Sequence, residues 1–598
     1  MFENMEINFS YYIDKKKISV TFNDNFSNDD FKAIVNFEKF NSYKKIKVSI
    51  VPNRELVIEK LCISTNYSFK EHDMVFVNGY QSWTDSREFF IDEKLSTISK
   101  LATPIIKKYQ FDKYGDYTFK KYSRKSGEFH GYTYSYIRNG ESINFIGSLT
   151  EKNGYTIIQQ FAKNNKIIID KDCTGHSINS EYVPFELVSI DGTENNVFDL
   201  YFDLMNIKKP KAKPMTGWTS WYNYYQNINE DIIIENLNHF KDFDKNIEIF
   251  QIDDGYQTYV GDWLDIDLSK FPRGMKYISD AIKTKGYKSG IWLAPFVCET
   301  NSKIFKEKPH WILKDSHGEL VLGGSNWSRF YALDIYNPEV REYIKNVFSV
   351  VLDEWGYDMV KLDFLYAVCL VPSKTKTRGQ IMTQAMEFLR ECVGDKLILG
   401  CGVPLGPSFG LVDYCRIGCD VGLDWNDKAF MRMLHRERIS TLNAIRNAIG
   451  RRQLNGRAFL NDPDVFLLRE DNIILTETQR QTLSTVNHIF GSLLFTSDNI
   501  IKYNSKNHLI FDNIMDLKEK KIHNVESFRN GLVEVVYSQG ESKYLAIINL
   551  KNKSISYDNN KFSELKELYF YKENQDTIME NTLKLHPYES RVFTIKGD

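Results

Sequence analysis

From residue 1 to about 205, apolar and polar residues alternate in short runs such as KKISVTF (16–22), KKIKVSIV (44–51) and NGYTIIQQF (153–161). A period of two sends successive side chains to opposite faces, which marks a strand with one buried face. Turn signals of the NG, DG and GD type separate the runs, so stacked antiparallel sheets are expected over residues 1–208. The stretch KKPKAKP (208–214) then breaks the pattern, because proline and like charges disfavour both helix and strand.

Beyond it the rhythm changes. Short apolar runs alternate with longer amphipathic ones, the signature of repeated βα units. Eight strands are predicted: 215–221, 247–254, 288–295, 358–364, 396–401, 414–418, 458–462 and 492–498. Between them lie helical patterns such as NPEVREYIKNVFSVVLDEW (337–355), where Pro338 can open a helix and Val340, Ile344, Val347 and Val351 share a face. Eight such units predict a (β/α)8 barrel over 209–505. An open doubly wound sheet is the alternative, but no G-x-G-x-x-G follows the first strand. Alternation returns in GLVEVVYS, KYLAIINL and SRVFTIKG, so a closing antiparallel β-sandwich is expected over 506–598.

Composition narrows the function classes. Of 598 residues, 42% are hydrophobic and 26% charged, which suits a packed protein and argues against disorder. The net charge is −2, so no global field exists to hold nucleic acid. No run is long and apolar enough to predict a membrane span, and no secretory leader is visible in MFENMEINFSYYIDKKK; a cytoplasmic protein is the expectation. The eight cysteines lack paired C-x-x-C spacing, which speaks against a zinc site. Aromatic residues reach 14%, which thick cores explain and which also suits stacking on sugar faces.

In a barrel, chemistry sits at the C-terminal ends of the strands. Those predicted ends carry Asp253, Asp254, Asp363, Asp420, Asp462 and Asp498. A single aspartate there is usually a helix cap, but several on one rim repel one another unless something binds or uses them. In VKLDF (360–364), alternation points Lys361 and Asp363 the same way, and a neighbouring cation would keep a nucleophilic carboxylate ionised. In CRIGCDVGLDW (415–425), the apolar neighbours of Asp420 would favour a protonated general acid. The plain readings are an inward ion pair and a turn aspartate. The adjacent acids of IDDGYQTYVGDW (252–263) could grip neighbouring hydroxyls.

The ordered motifs GWTSWYNYY, FQIDDGY with GDW, GIWLAPF, YALDI, KLDF, LGCGVPLGPSFGLVDYCRIGCD and RAFLNDPD resemble the α-galactosidases of glycoside hydrolase family 36, over most of residues 215–470. NGYQSW (78–83) is a weaker echo in the N-terminal region. The resemblance implies an N-terminal β-supersandwich, a (β/α)8 TIM barrel and a C-terminal β-sandwich. It implies Asp363 as nucleophile and Asp420 as acid/base of a retaining double displacement. It implies sugar contacts from Asp253, Asp254, Trp292, Arg329, Lys361, Cys401, Gly402 and Arg416, with Trp83, Trp218, Trp221 and Trp263 as apolar wall. The chain departs from this pattern at Cys419, where relatives have proline, and at Tyr256, where they often have tryptophan.

The expected activity is exo-hydrolysis of terminal α-linked galactose from an oligosaccharide or glycoconjugate, with no metal or organic cofactor. The alternatives are α-N-acetylgalactosaminidase activity on the same scaffold and, in another class, a non-catalytic carbohydrate-binding protein. Neither a nucleic acid nor a membrane is an expected partner; the resemblance allows a homo-oligomer.

Overall fold

The computed structural model describes residues 2–241, 247–428, 431, 437, 439–562, 565–568, 577–578 and 582–595. The N-terminal region forms two antiparallel sheets. One orders its strands Lys16–Phe22, Glu6–Ile13, Leu56–Asn66, Lys166–Lys171, Thr156–Phe161 and Glu128–Tyr132. The other begins with Phe26–Ser27 and Phe31–Lys39 and ends with Met74–Val77 and Arg87–Phe90. Phe31, Ala33 and Val35 are buried in alternation, as a half-covered strand requires. Phe9, Ile58 and Ile63 of the first sheet join Ile46, Val48 and Phe185 of the second in one buried cluster.

The second sheet is covered on its other face too. Helix α1 (Glu194–Leu204) packs Phe198 and Tyr201 against Tyr134 and Phe145. This cluster continues into the core of the following region.

There nine parallel strands run β1 (Met215–Thr219), β2 (Ile249–Ile252), β3 (Lys288–Leu293), β4 (Met359–Leu362), β5 (Leu397–Gly400), β6 (Tyr414–Arg416), β7 (Leu460–Asp462), β8 (Val465–Phe466) and β9 (Leu493–Thr496). Their order is β7-β6-β5-β4-β3-β2-β1-β9-β8. All eight predicted strands are present, each shorter than its apolar run. The ninth arises because Pro463 lacks an N–H and Asp464 has φ 78°, which splits one predicted strand end from the next pair. β7 pairs with β6 and β8 with β9, and Ser492 N donates to Asn461 O at 2.9 Å. The two halves thus bring the ends of the sheet together, a curled parallel sheet consistent with a barrel.

Helix α2 (Pro338–Ser349) starts where the sequence predicts. Asn337 caps it, its side chain accepting from Glu339 N at 2.9 Å, and Val340, Ile344 and Val347 are buried. Helix α3 (Thr441–Gly450) faces the N-terminal sheets, and helix α4 (Ser505–Met515) packs beside Glu477–Phe490. The last unit is an antiparallel sheet built on Lys520–Ser527, Leu532–Gln539, Ser542–Asn549 and Ser590–Ile595, with a separate pair, Ile555–Asp558 and Thr582–Leu585. Residues 596–598 of the expected closing domain lie outside the described residues.

Charge as well as apolar contact docks the N-terminal sheets on the barrel. Glu194, the first residue of α1, meets Arg138 of the second sheet and Arg452 after α3, the latter at 2.6 Å. Burial alone would push the Glu194 carboxyl up, but the two guanidinium groups outweigh it and hold the carboxyl below its ordinary value. A depressed carboxyl stabilises the fold fully at neutral pH, and that contribution is lost as pH falls through the folded-state value. Replacing Glu194 by Gln should cost about 3 kcal/mol, since it takes the carboxylate from buried Arg452 and leaves Arg138 with Glu88 alone. Denaturant melts at pH 7 and pH 4 should show that the cost shrinks in acid.

Candidate active site

Five of the βα units, those of β1, β2, β3, β4 and β6, bring side chains to one cavity of about 450 Å³, a size suited to a small ligand. Asp253 and Asp254 follow β2, Trp292 lies in β3, Lys361 in β4 with Asp363 just past it, and Asp420 follows β6. All of these line the cavity, as do Trp83 from the N-terminal region and Trp221 after β1.

Alternation along β4 does send Lys361 and Asp363 to the same side. The ion pair of Lys361, however, is with Asp253, at 2.8 Å across the sheet. Burial disfavours the ammonium, but Asp253 outweighs that and keeps it charged. Asp363 takes Trp292 Nε1–H on Oδ2 at 3.1 Å and Phe364 N–H on Oδ1 at 2.8 Å. Phe364 itself sits at φ 53°, an uncommon backbone conformation for a bulky residue. Burial pushes the Asp363 carboxyl up; Lys361 and the Trp292 bond draw it down, and Asp420 pushes it up again. The neighbouring lysine therefore tempers a rise caused by burial and does not reverse it.

Asp254 is held differently. Its oxygens accept from Gln226 and Trp327 at 2.8 and 2.9 Å and from Gln257 at 2.6 Å, all neutral donors. Burial raises this carboxyl, and the three bonds only partly offset it. Asp253 takes the lysine, Asp254 the amides and the indole, so the two adjacent acids are chemically distinct.

Not every acid on the rim belongs to the cavity. Asp498 is fully buried against Arg469 at 2.8 Å, and Asp462 against Arg416 at 2.9 Å. Their mutual repulsion is answered by arginines, not by a ligand. Arg416 itself lies behind the cavity wall. It holds Asp462, Asp464 at 2.7 Å and Asp420 at 3.0 Å around one guanidinium. Asp420 thus sits beside a cation and partly open to solvent, at 35% side-chain exposure, in place of the apolar shell suggested by its sequence neighbours.

The other expected contacts divide by depth. Cys401 and Gly402 lie behind the wall, where Trp83 Nε1–H points at Cys401 Sγ, 3.4 Å away. Trp218 is buried and donates to Asp498 O at 3.2 Å; Trp263 is buried edge-on to Trp292. Tyr256 is fully buried and donates to the Trp292 carbonyl at 3.2 Å, while Cys419 lines the cavity. Arg329 is exposed and is not among the lining residues. Its turn sends Trp327 inward instead, with both residues at positive φ. Trp327, Phe364 and Tyr114 line the cavity although no periodic signal marks them in the sequence. Their only hint is aromatic character.

The loop bearing Trp83 is fixed by a residue the sequence does not single out. Arg451, fully buried after α3, donates to Asn78 Oδ1 at 3.1 Å, Gly79 O at 3.3 Å, Gln81 O at 3.0 Å, Ile417 O at 2.9 Å and Ser82 O. One planar fork therefore ties the 78–83 loop to the chain just before Asp420.

Residues 199–390 match the melibiase family model. An α-galactosidase of Escherichia coli is 28% identical over 195 residues, which cover 31% of this chain and 26% of that protein. A probable α-galactosidase of Dictyostelium discoideum is 25% identical over 274 residues, 44% of this chain and 57% of that one. The chain spans about a fifth to a quarter of the length of the curated relatives it first matches. Among solved structures, TtGalA, an α-galactosidase from Thermus thermophilus in complex with p-nitrophenyl α-D-galactopyranoside, has a TM-score of 0.69 at 24% identity, covering 87% of this chain and 98% of its own. The family 36 α-galactosidase AgaA of Geobacillus stearothermophilus has a TM-score of 0.64 at 10% identity, covering 98% and 89%. The resemblance drawn from the motifs is borne out, and the fold is that of these multidomain proteins.

Arg451→Lys should separate the loop's contribution from that of the barrel. A point charge cannot reproduce the fork, so several buried carbonyls lose donors, at a cost of about 2–4 kcal/mol. Trp83 should then move, which a change in its fluorescence on ligand addition would register in the Arg451→Lys protein and not in a Trp83→Phe control.

Proposed function

We propose that this chain is a retaining exo-α-galactosidase. The observation that supports this most directly is that Asp363 and Asp420 line one cavity, where the charge of Asp420 pushes the Asp363 carboxyl up, together with Asp253, Asp254 and Lys361. Asp363 attacks the anomeric carbon of a terminal α-galactoside while Asp420 gives its proton to the leaving oxygen. Asp420 then takes a proton from water, which releases galactose from Asp363 with its configuration retained. The indole N–H of Trp292 and the backbone N–H of Phe364 orient the nucleophile; Asp253, Asp254 and Lys361 are placed to exchange hydrogen bonds with sugar hydroxyls. The reading invokes no metal or organic cofactor. It takes 1–208 as the β-supersandwich, 209–505 as the catalytic barrel and 506–598 as the closing β-sandwich. Its substrates are oligosaccharides with terminal α-galactose, met in the cytoplasm.

The reading takes galactose over N-acetylgalactosamine, and the packing of Trp83 supports that choice. The resemblance assigns the sugar's O2 to the region of Cys401, Gly402 and Arg416. There the Trp83 ring closes on the loop: a Cβ at Gly402 would lie 2.9 Å from Trp83 Cζ2 and 3.0 Å from Phe364 N. A hydroxyl fits such a wall, whereas an acetamido group needs volume that the indole fills.

Four measurements test this. Asp363→Asn should lower kcat by about 10⁴-fold or more with the fold intact; a near-wild-type rate removes Asp363 from the role. The acid limb of kcat/KM should lie above the value of about 3.9 for a free aspartate, because the form needed is the ionised one and burial raises this carboxyl. Aryl α-galactoside should be preferred to its N-acetylgalactosaminide by well over about tenfold, and Trp83→Ala should erode that ratio. A β-configured first product by NMR would contradict retention.

A further inference from the structure

Asp464 lies outside the cavity lining, yet it touches everything that holds Asp420. It is 1% exposed. Oδ2 accepts the backbone N–H of Val421, the residue directly after Asp420, at 2.7 Å, and the hydroxyl of Tyr222. Oδ1 faces Arg416 Nη2 at 2.7 Å, while Nη1 of the same guanidinium is 3.0 Å from Asp420. Its backbone N–H bonds Asp462 Oδ1 at 2.8 Å, and its left-handed φ of 78° turns the side chain out of the strand path. Aspartate tolerates that region better than most residues do.

We propose that Asp464 is the positioning residue of the acid/base: it fixes the Asp420 turn through Val421 and shares Arg416 with Asp420, and so governs how readily Asp420 supplies its proton. This rests on the galactosidase reading. The charged and titratable groups that face Asp464 are Arg416 and Asp420 from the β6 segment, Asp462 from β7, Tyr222 from the helix after β1, and the Cys419 thiol. The helix Glu477–Phe490 adds the neutral amide of Asn487, 3.3 Å from the Asp464 carbonyl. An ionised Asp464 draws on Arg416 and sets a negative charge beside Asp420, and both effects disfavour a second charge on Asp420. A neutral Asp464 releases Arg416 to Asp420 and removes that repulsion. Burial pushes the Asp464 carboxyl up against the pull of Arg416, and the neighbouring Asp420 and Asp462 add to the rise.

The test is Asp464→Asn, which keeps the shape and tolerates the same φ, compared with wild type and Asp420→Asn on phenyl and p-nitrophenyl α-galactosides. The phenyl leaving group needs a proton more than p-nitrophenyl does. The expected result is a loss in kcat/KM of about tenfold or more on the phenyl substrate and less than about threefold on p-nitrophenyl. The alkaline limb of the pH profile should move to lower pH by about half a unit or more. Equal losses on both substrates with an unmoved limb would mean a structural role only and would overturn the proposal. If Asp464→Asn does not fold, Tyr222→Phe decides: it removes one donor to Asp464 and should move the limb the same way, and an unmoved limb with equal losses overturns the proposal. If wild type cleaves neither substrate, or Asp420→Asn keeps full activity on the phenyl substrate, the galactosidase reading fails and the inference with it. If Asp420→Asn shows the leaving-group pattern and Asp464→Asn does not, the inference alone fails.

Discussion

A carboxylate taken out of water must be met by donors or give up its charge, and this barrel mouth is organised around that constraint. At least six aspartates gather where the strands end. Arg469 answers Asp498, Lys361 answers Asp253, and Arg416 is divided among Asp420, Asp462 and Asp464. Asp254 is met by neutral groups, and Asp363 by an indole and a backbone N–H. Distributing the cations unequally makes acids of one residue type behave differently.

That inequality is what allows two carboxyl groups in one cavity to take different parts. Asp363 is buried, with burial and Lys361 working in opposite directions on its proton. Asp420 is partly open to solvent and shares a guanidinium with two deeper acids. In the proposed mechanism the nucleophile needs fixed orientation, and the Trp292 and Phe364 bonds hold Asp363 in place. The proposed acid/base must exchange a proton in both directions, which the solvent access of Asp420 permits.

The N-terminal sheets take part in the site and are not merely attached to it. Arg451 spends its planar donor fork on the 78–83 loop and on Ile417, so the loop that brings Trp83 and the turn that brings Asp420 share one anchor. Glu194 does similar work farther out by bridging Arg138 and Arg452. Apolar packing, such as Phe202 of α1 edge-on to Phe409 of the barrel, brings the units together without direction; these charged groups add directional contacts.

The sequence by itself determined the order of elements. Alternation marked strands such as Lys16–Phe22 and Tyr43–Pro52, and the apolar spacing of 340, 344 and 347 behind Pro338 marked α2. These signals are local: a period of 2 or 3.6 and a cap are written within a dozen residues. The acids at the strand ends were legible for the same reason, since β-strand geometry says where a strand end lies in a barrel. Only the tertiary structure decided which acid meets which cation. Lys361 lies two residues from Asp363 yet pairs with Asp253, more than a hundred positions away. Arg329 looked like a pocket residue, but a left-handed turn exposes it and sends Trp327 inward. Arg451, Trp83 and Asp464 come from distant segments. Their partners are chosen by closure of the sheet and docking of the N-terminal region, which no period in the chain encodes.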